Sequence, residues 1–413
     1  MSTIARIELF HVRIPYPQTF YPSWIPGFPQ RENRFDLLRV TTEDGVEGIS
    51  ANLAMGEERK GLGAFLGPYL IGEDATDIPA IRQRLREISY LGWRNPWIEA
   101  AFWDIKGKIE GMPVCRLLGG EPREVKLYAS TGEVRSVEAR IDDAHARLEE
   151  GFESIKLRVH EQDEAKDIQQ IVGVAKALGD RMKIGVDANQ GWRVSAIAEA
   201  PLWDLARAKR FADACADAGI AWLEEPLPMD DYEALASLRE YSRVPISGGE
   251  MQPGGLVELR TMMERGCYDI IQPDAMLTAG ISECLQIAKL ARAHGLIYTP
   301  HTWTTGIGFA ANLHLMAASG FADEKPLEYP YDPPGYVVEA RDGILKRPFH
   351  HHAGRIQVPS APGLGIEIDE WALGRYGRRF FVMDKKRLVF FALRDRGLRA
   401  ALEIDRHRKA RRK

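Results

Sequence analysis

Ionisable residues recur through the middle of this chain at a nearly constant interval. Lys156 with Arg158, then Asp187, Glu224, Glu250, Asp274, His301 and Glu328, each follow a short apolar run, and from Arg158 onward the gaps are 29, 37, 26, 24, 27 and 27 residues. Asp187, Glu224 and Glu250 would repel one another if gathered together, and a cation is the usual remedy. Three oxygen ligands that leave positions for water and substrate suit Mg²⁺, whereas zinc prefers Cys and His. We read these three as ligands of one Mg²⁺ per active site. A single carboxylate after a strand would read only as a helix cap or a loop salt bridge. Glu225, adjacent to Glu224 in a strand, should point the other way and form such a salt bridge. Asp274 falls one interval before His301, which suits a dyad: the carboxylate fixes the imidazole tautomer and raises its basicity. Lys156 and Arg158 alternate along one strand, so both face one side and suit a substrate carboxylate. Metal and side-chain cations together stabilise the enediolate formed when a base removes a proton α to a carboxylate.

The apolar runs carrying these residues are 125–129, 154–159, 183–186, 221–223, 245–247, 269–272, 297–299 and 326–327. Helical patterns at 137–149, 164–178, 203–218, 231–241, 255–265, 281–294 and 305–318 separate them. Such β/α alternation predicts a parallel sheet. Its regular period favours a closed TIM-type barrel over an open doubly wound sheet, and it gathers the strand ends on the face where barrel active sites sit. Ahead of it, strands at 4–14 and 35–50, with a turn at Glu43-Asp44-Gly45, precede helices at 77–90 and 95–110, the pattern of an α+β cap. No GxGxxG opens a helix after a strand and no GxxxxGK[ST] occurs, which argues against dinucleotide and P-loop sites.

The 413 residues are 45% hydrophobic and 28% charged, a globular composition with material for two or three domains. No apolar run approaches the ~18 residues of a membrane span, and the N-terminus reads as a strand rather than a signal peptide. Cys115, Cys215, Cys267 and Cys284 form no C-x-x-C pair and read as reduced thiols of a cytoplasmic protein. A net charge of −4 points to neither nucleic acid nor membrane as partner. That charge is uneven: residues 371–413 carry fifteen Lys/Arg against four Asp/Glu. Residues 385–402 can be written as an amphipathic surface helix with Leu388, Phe391, Leu393, Leu398 and Leu402 on one face. His350, His351 and His352 read as an exposed loop, Asp163, Glu164 and Asp167 as a solvated helix start, and 363–369 as a closing strand.

The stretches AFWDIKGK (101–108) and LLGG (117–120), VDANQGW (186–192), WLEEP (222–226), PDAM (273–276) and Pro300-His301 resemble the enolase superfamily, within it the mandelate racemase-like group. The resemblance covers roughly residues 4–370. It implies a modified (β/α)7β barrel over 125–329, under an α+β cap made from 1–124 and a returning segment at 330–370, with 371–413 left as a basic extension. Asp187, Glu224 and Glu250 match the family's Mg²⁺ ligands, His301 and Asp274 its His–Asp dyad, and Lys156 the first lysine of its K-x-K. Glu328 matches the electrophilic acid that hydrogen-bonds the substrate carboxylate. Arg158 departs from the pattern. The racemase group places a second lysine there as a base on the opposite face, and arginine stays protonated. One-base chemistry is therefore expected: His301 takes the α-proton and then assists departure of the β-hydroxyl. That describes a Mg²⁺-dependent dehydratase of a sugar acid, an aldonate or aldarate, giving a 2-keto-3-deoxy acid. A cycloisomerase, or an epimerase or racemase, working through the same enolate stays open, as does a non-catalytic binding protein. Arg158 would otherwise reach a second substrate carboxylate or hydroxyl. The resemblance also implies a homo-oligomer and two cap loops over the mouth, about 16–33 and 51–62. Tyr21, Trp24 and Arg31 are the first loop's candidate substrate contacts, with Asn189 and Trp303 the candidates from the barrel.

Overall fold

The computed structural model describes residues 2–92 and 94–411. The chain opens with three antiparallel strands, β1 (Ile4–Phe20), β2 (Gln30–Thr42) and β3 (Glu47–Leu53). Gly45, at φ 82°, closes the β2–β3 turn, with its N–H on the Thr42 carbonyl. Four helices follow: α1 (Leu62–Leu70), α2 (Ile78–Tyr90), α3 (Glu99–Glu110) and α4 (Val114–Leu117). In α2 the Asp77 side chain caps the Ala80 N–H, and Ile78, Ile81, Leu85 and Ile88 form its buried stripe. Helix α1 has no such signal in the sequence. It contains Pro68, and it packs through Gly63 and Gly67, where small size rather than hydrophobicity allows close approach. Helix α3 lies just as close to β3. A Cβ on Gly48 would stand 2.0 Å from the Ala101 carbonyl oxygen. Gly48→Ala should therefore destabilise the protein by ~1–3 kcal/mol, the usual cost of overpacking, read as a lower midpoint in a denaturant melt.

Eight parallel strands come next: β4 (Glu124–Ser130), β5 (Ser154–Arg158), β6 (Lys183–Asp187), β7 (Trp222–Glu224), β8 (Ile246–Gly248), β9 (Ile270–Ile271), β10 (Ile297–Tyr298) and β11 (Leu327–Pro330). Seven helices connect them, α5 (Val137–Glu149), α6 (Glu164–Leu178), α7 (Leu205–Asp217), α8 (Tyr232–Tyr241), α9 (Gly255–Arg265), α10 (Gly280–Ala293) and α11 (Gly306–Ser319). The strands pair in the order β10-β9-β8-β7-β6-β5-β4-β11. At the seam, Thr299 Oγ1 donates to the Pro326 carbonyl (3.0 Å) and Thr302 Oγ1 to the Glu328 carbonyl (2.9 Å). Every residue of β5 is buried, Lys156 and Arg158 included. The cap is fastened to the barrel face that bears the strand ends. Asn52 Nδ2 donates to the Met276 carbonyl (3.0 Å), and Arg94 donates to the Leu277 carbonyl (2.7 Å).

The returning segment contains α12 (Val338–Arg341) and β12 (Arg355–Gln357), which pairs with β4. Then come α13 (Glu370–Tyr376), β13 (Gly377–Asp384) and α14 (Lys385–Arg411). Three expectations change here. Residues 363–369 form isolated bridges, not a strand. The basic segment after 371 is not wholly a surface appendage, because β13 pairs antiparallel with β1 and completes a sheet ordered β13-β1-β2-β3. Helix α14 does not keep one apolar face: Gly397, at φ 78°, breaks it, so Leu388 and Phe391 pack inward while Leu398 and Leu402 are exposed. Asp167 is buried rather than solvated, and it binds Arg207 (3.0 Å). His351 packs at a tilt against Phe152 and edge-on against Tyr329. Among the described residues no helix is long and apolar enough to cross a membrane.

Candidate active site

The strand ends of the barrel converge on one buried cluster. Lys156 Nζ pairs with Glu224, lies 2.8 Å from Glu328 Oε1 and stands 3.5 Å from Asp187 Oδ2. Arg158 pairs with Asp187 and donates its Nε–H to the Thr131 carbonyl (2.6 Å). Burial opposes the charge on Lys156, but Glu224 and Glu328 outweigh it and hold the ammonium well above its ordinary range. Arg158 is raised too, burial again being outweighed, chiefly by Asp187. Neither is a base at neutral pH.

His301 sits opposite. Its Nδ1 is 2.9 Å from Asp274 Oδ2, while Asp274 Oδ1 accepts from the Met276 N–H (2.7 Å) and Asn312 Nδ2 (3.0 Å). Asp274 is thereby fixed, and Nε2 is the imidazole nitrogen left for chemistry. Nε2 lies 3.2 Å from Glu250 Oε2 and 3.9 Å from Glu328 Oε2. Burial disfavours the imidazolium, yet Glu250, Glu328 and Asp274 prevail and hold His301 up at about 9.

Glu328 accepts from Ser130 Oγ (2.7 Å), from the Thr302 N–H (2.8 Å) and from Lys156. Burial would raise its pKa, but Lys156, His301 and Arg158 hold it at about 2. Glu328, which the resemblance implies as a hydrogen-bonding acid, meets three donors here. Glu225 departs from expectation. Strand β7 ends at Glu224, and Glu225 adopts φ 46°, so the alternation that would turn it outward has already stopped. It is buried, and among the described residues it has no ion pair and its Oε2 has no hydrogen-bond partner. Burial, then the charges of Glu250, Asp187 and Glu224, push its carboxyl well up.

Among the described residues, no three His, Cys, Asp or Glu side chains already converge on one metal-sized point. Asp187 and Glu224 each turn an oxygen to a side-chain cation instead. The donor set still fits a hard divalent cation. Asp187, Glu224 and Glu250 are buried carboxylates on consecutive strand ends; among the described residues, Glu225 beside them has an orphaned oxygen, and the three pair with Lys156, Arg158 and His301.

Segment 21–29 covers this cluster. Ser23 Oγ donates to Asn189 Oδ1 (2.6 Å), and the His160 ring binds the Ser23 carbonyl. Burial holds His160 down at about 4, so it is neutral and can donate that bond. The Arg158 guanidinium faces two indoles that touch each other edge-on, 5.2 Å from the Trp24 ring and 5.4 Å from that of Trp303. Trp303 Nε1 donates to Ser130 Oγ (2.8 Å), which links this aromatic wall to Glu328. Trp24, Asn189 and Trp303 are therefore brought to the site. Tyr21 is not, its side chain being 61% exposed. Arg31 is not either: β2 begins at Gln30, so Arg31 stands exposed on a strand rather than in the loop.

Residues 11–119 match the mandelate racemase / muconate lactonizing enzyme N-terminal domain, and residues 139–372 match the enolase C-terminal domain-like family. The chain belongs to the mandelate racemase/muconate lactonizing enzyme family of the enolase superfamily. This enolase-superfamily chain is 30% identical over 377 residues to D-galactarolactone cycloisomerase of Agrobacterium fabrum, covering 84% of this chain and 94% of the relative. It is 28% identical to arabinonate dehydratase of Saccharolobus solfataricus, covering 85% and 93%. The structure of L-talarate dehydratase from Polaromonas sp. JS666, complexed with Mg and L-glucarate, superposes with a TM-score of 0.76 at 26% identity, covering 93% of this chain and all of that one.

Sequence reading missed several residues that the structure brings to this cluster. Ser130 had a usable signal: it ends β4 and lies 26 residues before Lys156, one β/α interval. His160 continues the alternation of Lys156 and Arg158. Gln272, whose Nε2 donates to Glu224 Oε2 (2.9 Å), stands two residues before Asp274. Asn312 carries no strand-end signal, because it reaches Asp274 from α11.

Proposed function

We propose that the protein is a Mg²⁺-dependent sugar-acid dehydratase with His301 as its single acid–base group. The observation that carries this reading is the asymmetry of the site. On one side the Asp274-oriented Nε2 of His301 is free to exchange a proton, and on the other stand only Lys156 and Arg158, both held protonated. Asp187, Glu224 and Glu250 would hold the Mg²⁺, which would supply positive charge for the developing enediolate. Glu250, taken up in that way, would no longer support the imidazolium, and Nε2 would be the base.

His301 Nε2 takes the proton α to the substrate carboxylate, and the C–H electron pair moves into that carboxylate as an enediolate. Lys156 stabilises the new charge. The pair then returns to form the α,β double bond as the β C–O bond breaks, and His301 gives its proton to the departing hydroxyl, releasing water. Tautomerisation of the enol yields the 2-keto-3-deoxy acid. Arg158, fixed by Thr131, Trp24 and Trp303, binds the substrate away from the reacting carbon.

Cycloisomerisation is the second reading, supported by the likeness to the Agrobacterium lactone enzyme. There the leaving oxygen belongs to a ring, so no water is released. Proton NMR in D₂O on a panel of aldonic and aldaric acids and their lactones tests both. The expected result is loss of α- and β-carbinol signals with growth of 3-deoxy signals, abolished by EDTA and restored by MgCl₂. Conversion of a lactone alone would favour the cycloisomerase. Turnover indifferent to EDTA would overturn the metal assignment.

A further inference from the structure

A second concave site lies in the cap. A cleft of about 440 Å³ is lined by the middle of β1 and the first half of β2, by Gly56 and Glu57, and by the corner where α13 turns into β13. His11, 8% exposed, is its most buried lining group. Its Nδ1 is taken by Asp36 Oδ1 (2.9 Å), and its other nitrogen has no hydrogen bond or ion pair among the described residues. Four arginines line the same cleft: Arg13, Arg34, Arg375 and Arg378. Strand register puts them there. His11 pairs with Arg378 across β1–β13, and Arg13 with Arg34 across β1–β2. Directly opposed cross-strand residues share a face, and like charges so placed repel.

The nearby carboxylates do not balance this. Arg13 and Arg34 share Glu32. Arg378 pairs with Glu57, which Lys60 also claims. Arg375 has no ion pair among the described residues, and it rests on the rings of Trp371 (5.4 Å) and Tyr376 (5.1 Å). Two of the four guanidinium groups, with Tyr376, lie beyond residue 372, where the family match ends. Half of the cleft's guanidinium groups therefore come from outside that matched stretch, and half, Arg13 and Arg34, from within the matched N-terminal domain.

We propose that this cleft binds a phosphate group, either free phosphate or the phosphate of a small metabolite. Guanidinium forks suit its tetrahedral oxygens, the ring nitrogen of His11 offers a further polar contact, and the volume matches a small-molecule site.

The test titrates the Mg²⁺-loaded full-length protein with inorganic phosphate by isothermal calorimetry, beside an Arg13→Gln/Arg375→Gln double variant. Both side chains are exposed, so the fold should survive, and the variant's melting temperature without phosphate checks that. We expect one saturable site per chain, at least tenfold weaker in the variant, and unchanged sugar-acid turnover. A sugar phosphate binding more tightly than phosphate would support the proposal with a metabolite as source, and equal affinity would support it with the free ion. Absence of saturable binding to the wild type would overturn it. So would equal binding by the variant, or displacement by the sugar acid, since both would put the ion at Lys156 and Arg158 in the barrel.

Discussion

Replacing His301 by Asn is expected to lower kcat by about 10⁴-fold and to stop exchange of the substrate's α-proton in D₂O, with the protein still folded. The size follows from the lack of a substitute. Lys156 and Arg158 are held protonated by the carboxylates around them, and Glu328 already accepts three hydrogen bonds. Asparagine can keep a hydrogen bond to Asp274, so the dyad's scaffold on Met276 and Asn312 need not collapse. Proton NMR reads both steps at once. Exchange that persists without product would mean that another group abstracts the proton and that His301 serves only the departing hydroxyl. Asp274→Asn should be milder, because it disturbs the tautomer of the base rather than removing it.

Lys156→Met should have the second largest effect, on stability as well as on rate. The ammonium is fully buried among Glu224, Glu328 and Asp187. Deleting one partner of a buried ion pair strands the other, at a cost of ~3–5 kcal/mol. Here two of the stranded charges, Asp187 and Glu224, are also proposed Mg²⁺ ligands. The variant's melting temperature should therefore fall in EDTA and recover with MgCl₂ by more than the wild type gains, while kcat stays at least ~100-fold down for want of the ammonium beside the enediolate. Equal gains from Mg²⁺ in the two proteins would show that Lys156 does not share its carboxylates with the metal. Calorimetry with and without metal decides this without any substrate.

The barrel was legible because its physics is local and periodic. Each strand is a short buried run and each helix an amphipathic stretch, so the seven predicted helices and eight strands lie within a few residues of the observed ones. The same period located Asp187, Glu224, Glu250, Asp274 and His301. What stayed hidden depends on contacts between distant segments or on a single backbone angle. Glu225 turns into the cluster through one left-handed residue that strand alternation cannot foresee. Asn312 approaches from a helix. Arg31 fell outside the site because β1 and β2 run further than their apolar patterns suggest, shortening the loop to 21–29. Strand β13 was missed because its burial is shallow and its residues are mainly basic and aromatic; only the free edge of β1 makes it a strand.

That last pairing sets an order of events during synthesis. Strand β1 leaves the ribosome ahead of the barrel, and the strand that covers its edge, from Gly377 to Asp384, emerges only after the whole barrel. At ~5–20 residues per second the edge of β1 waits roughly 20–70 s for its neighbour. During that interval its unpaired N–H and C=O groups are a template for strands of other chains. The basic residues of β13 then do more than fill the edge: a chain ending before Gly377 would expose it permanently, and would associate through the cap with its barrel untouched.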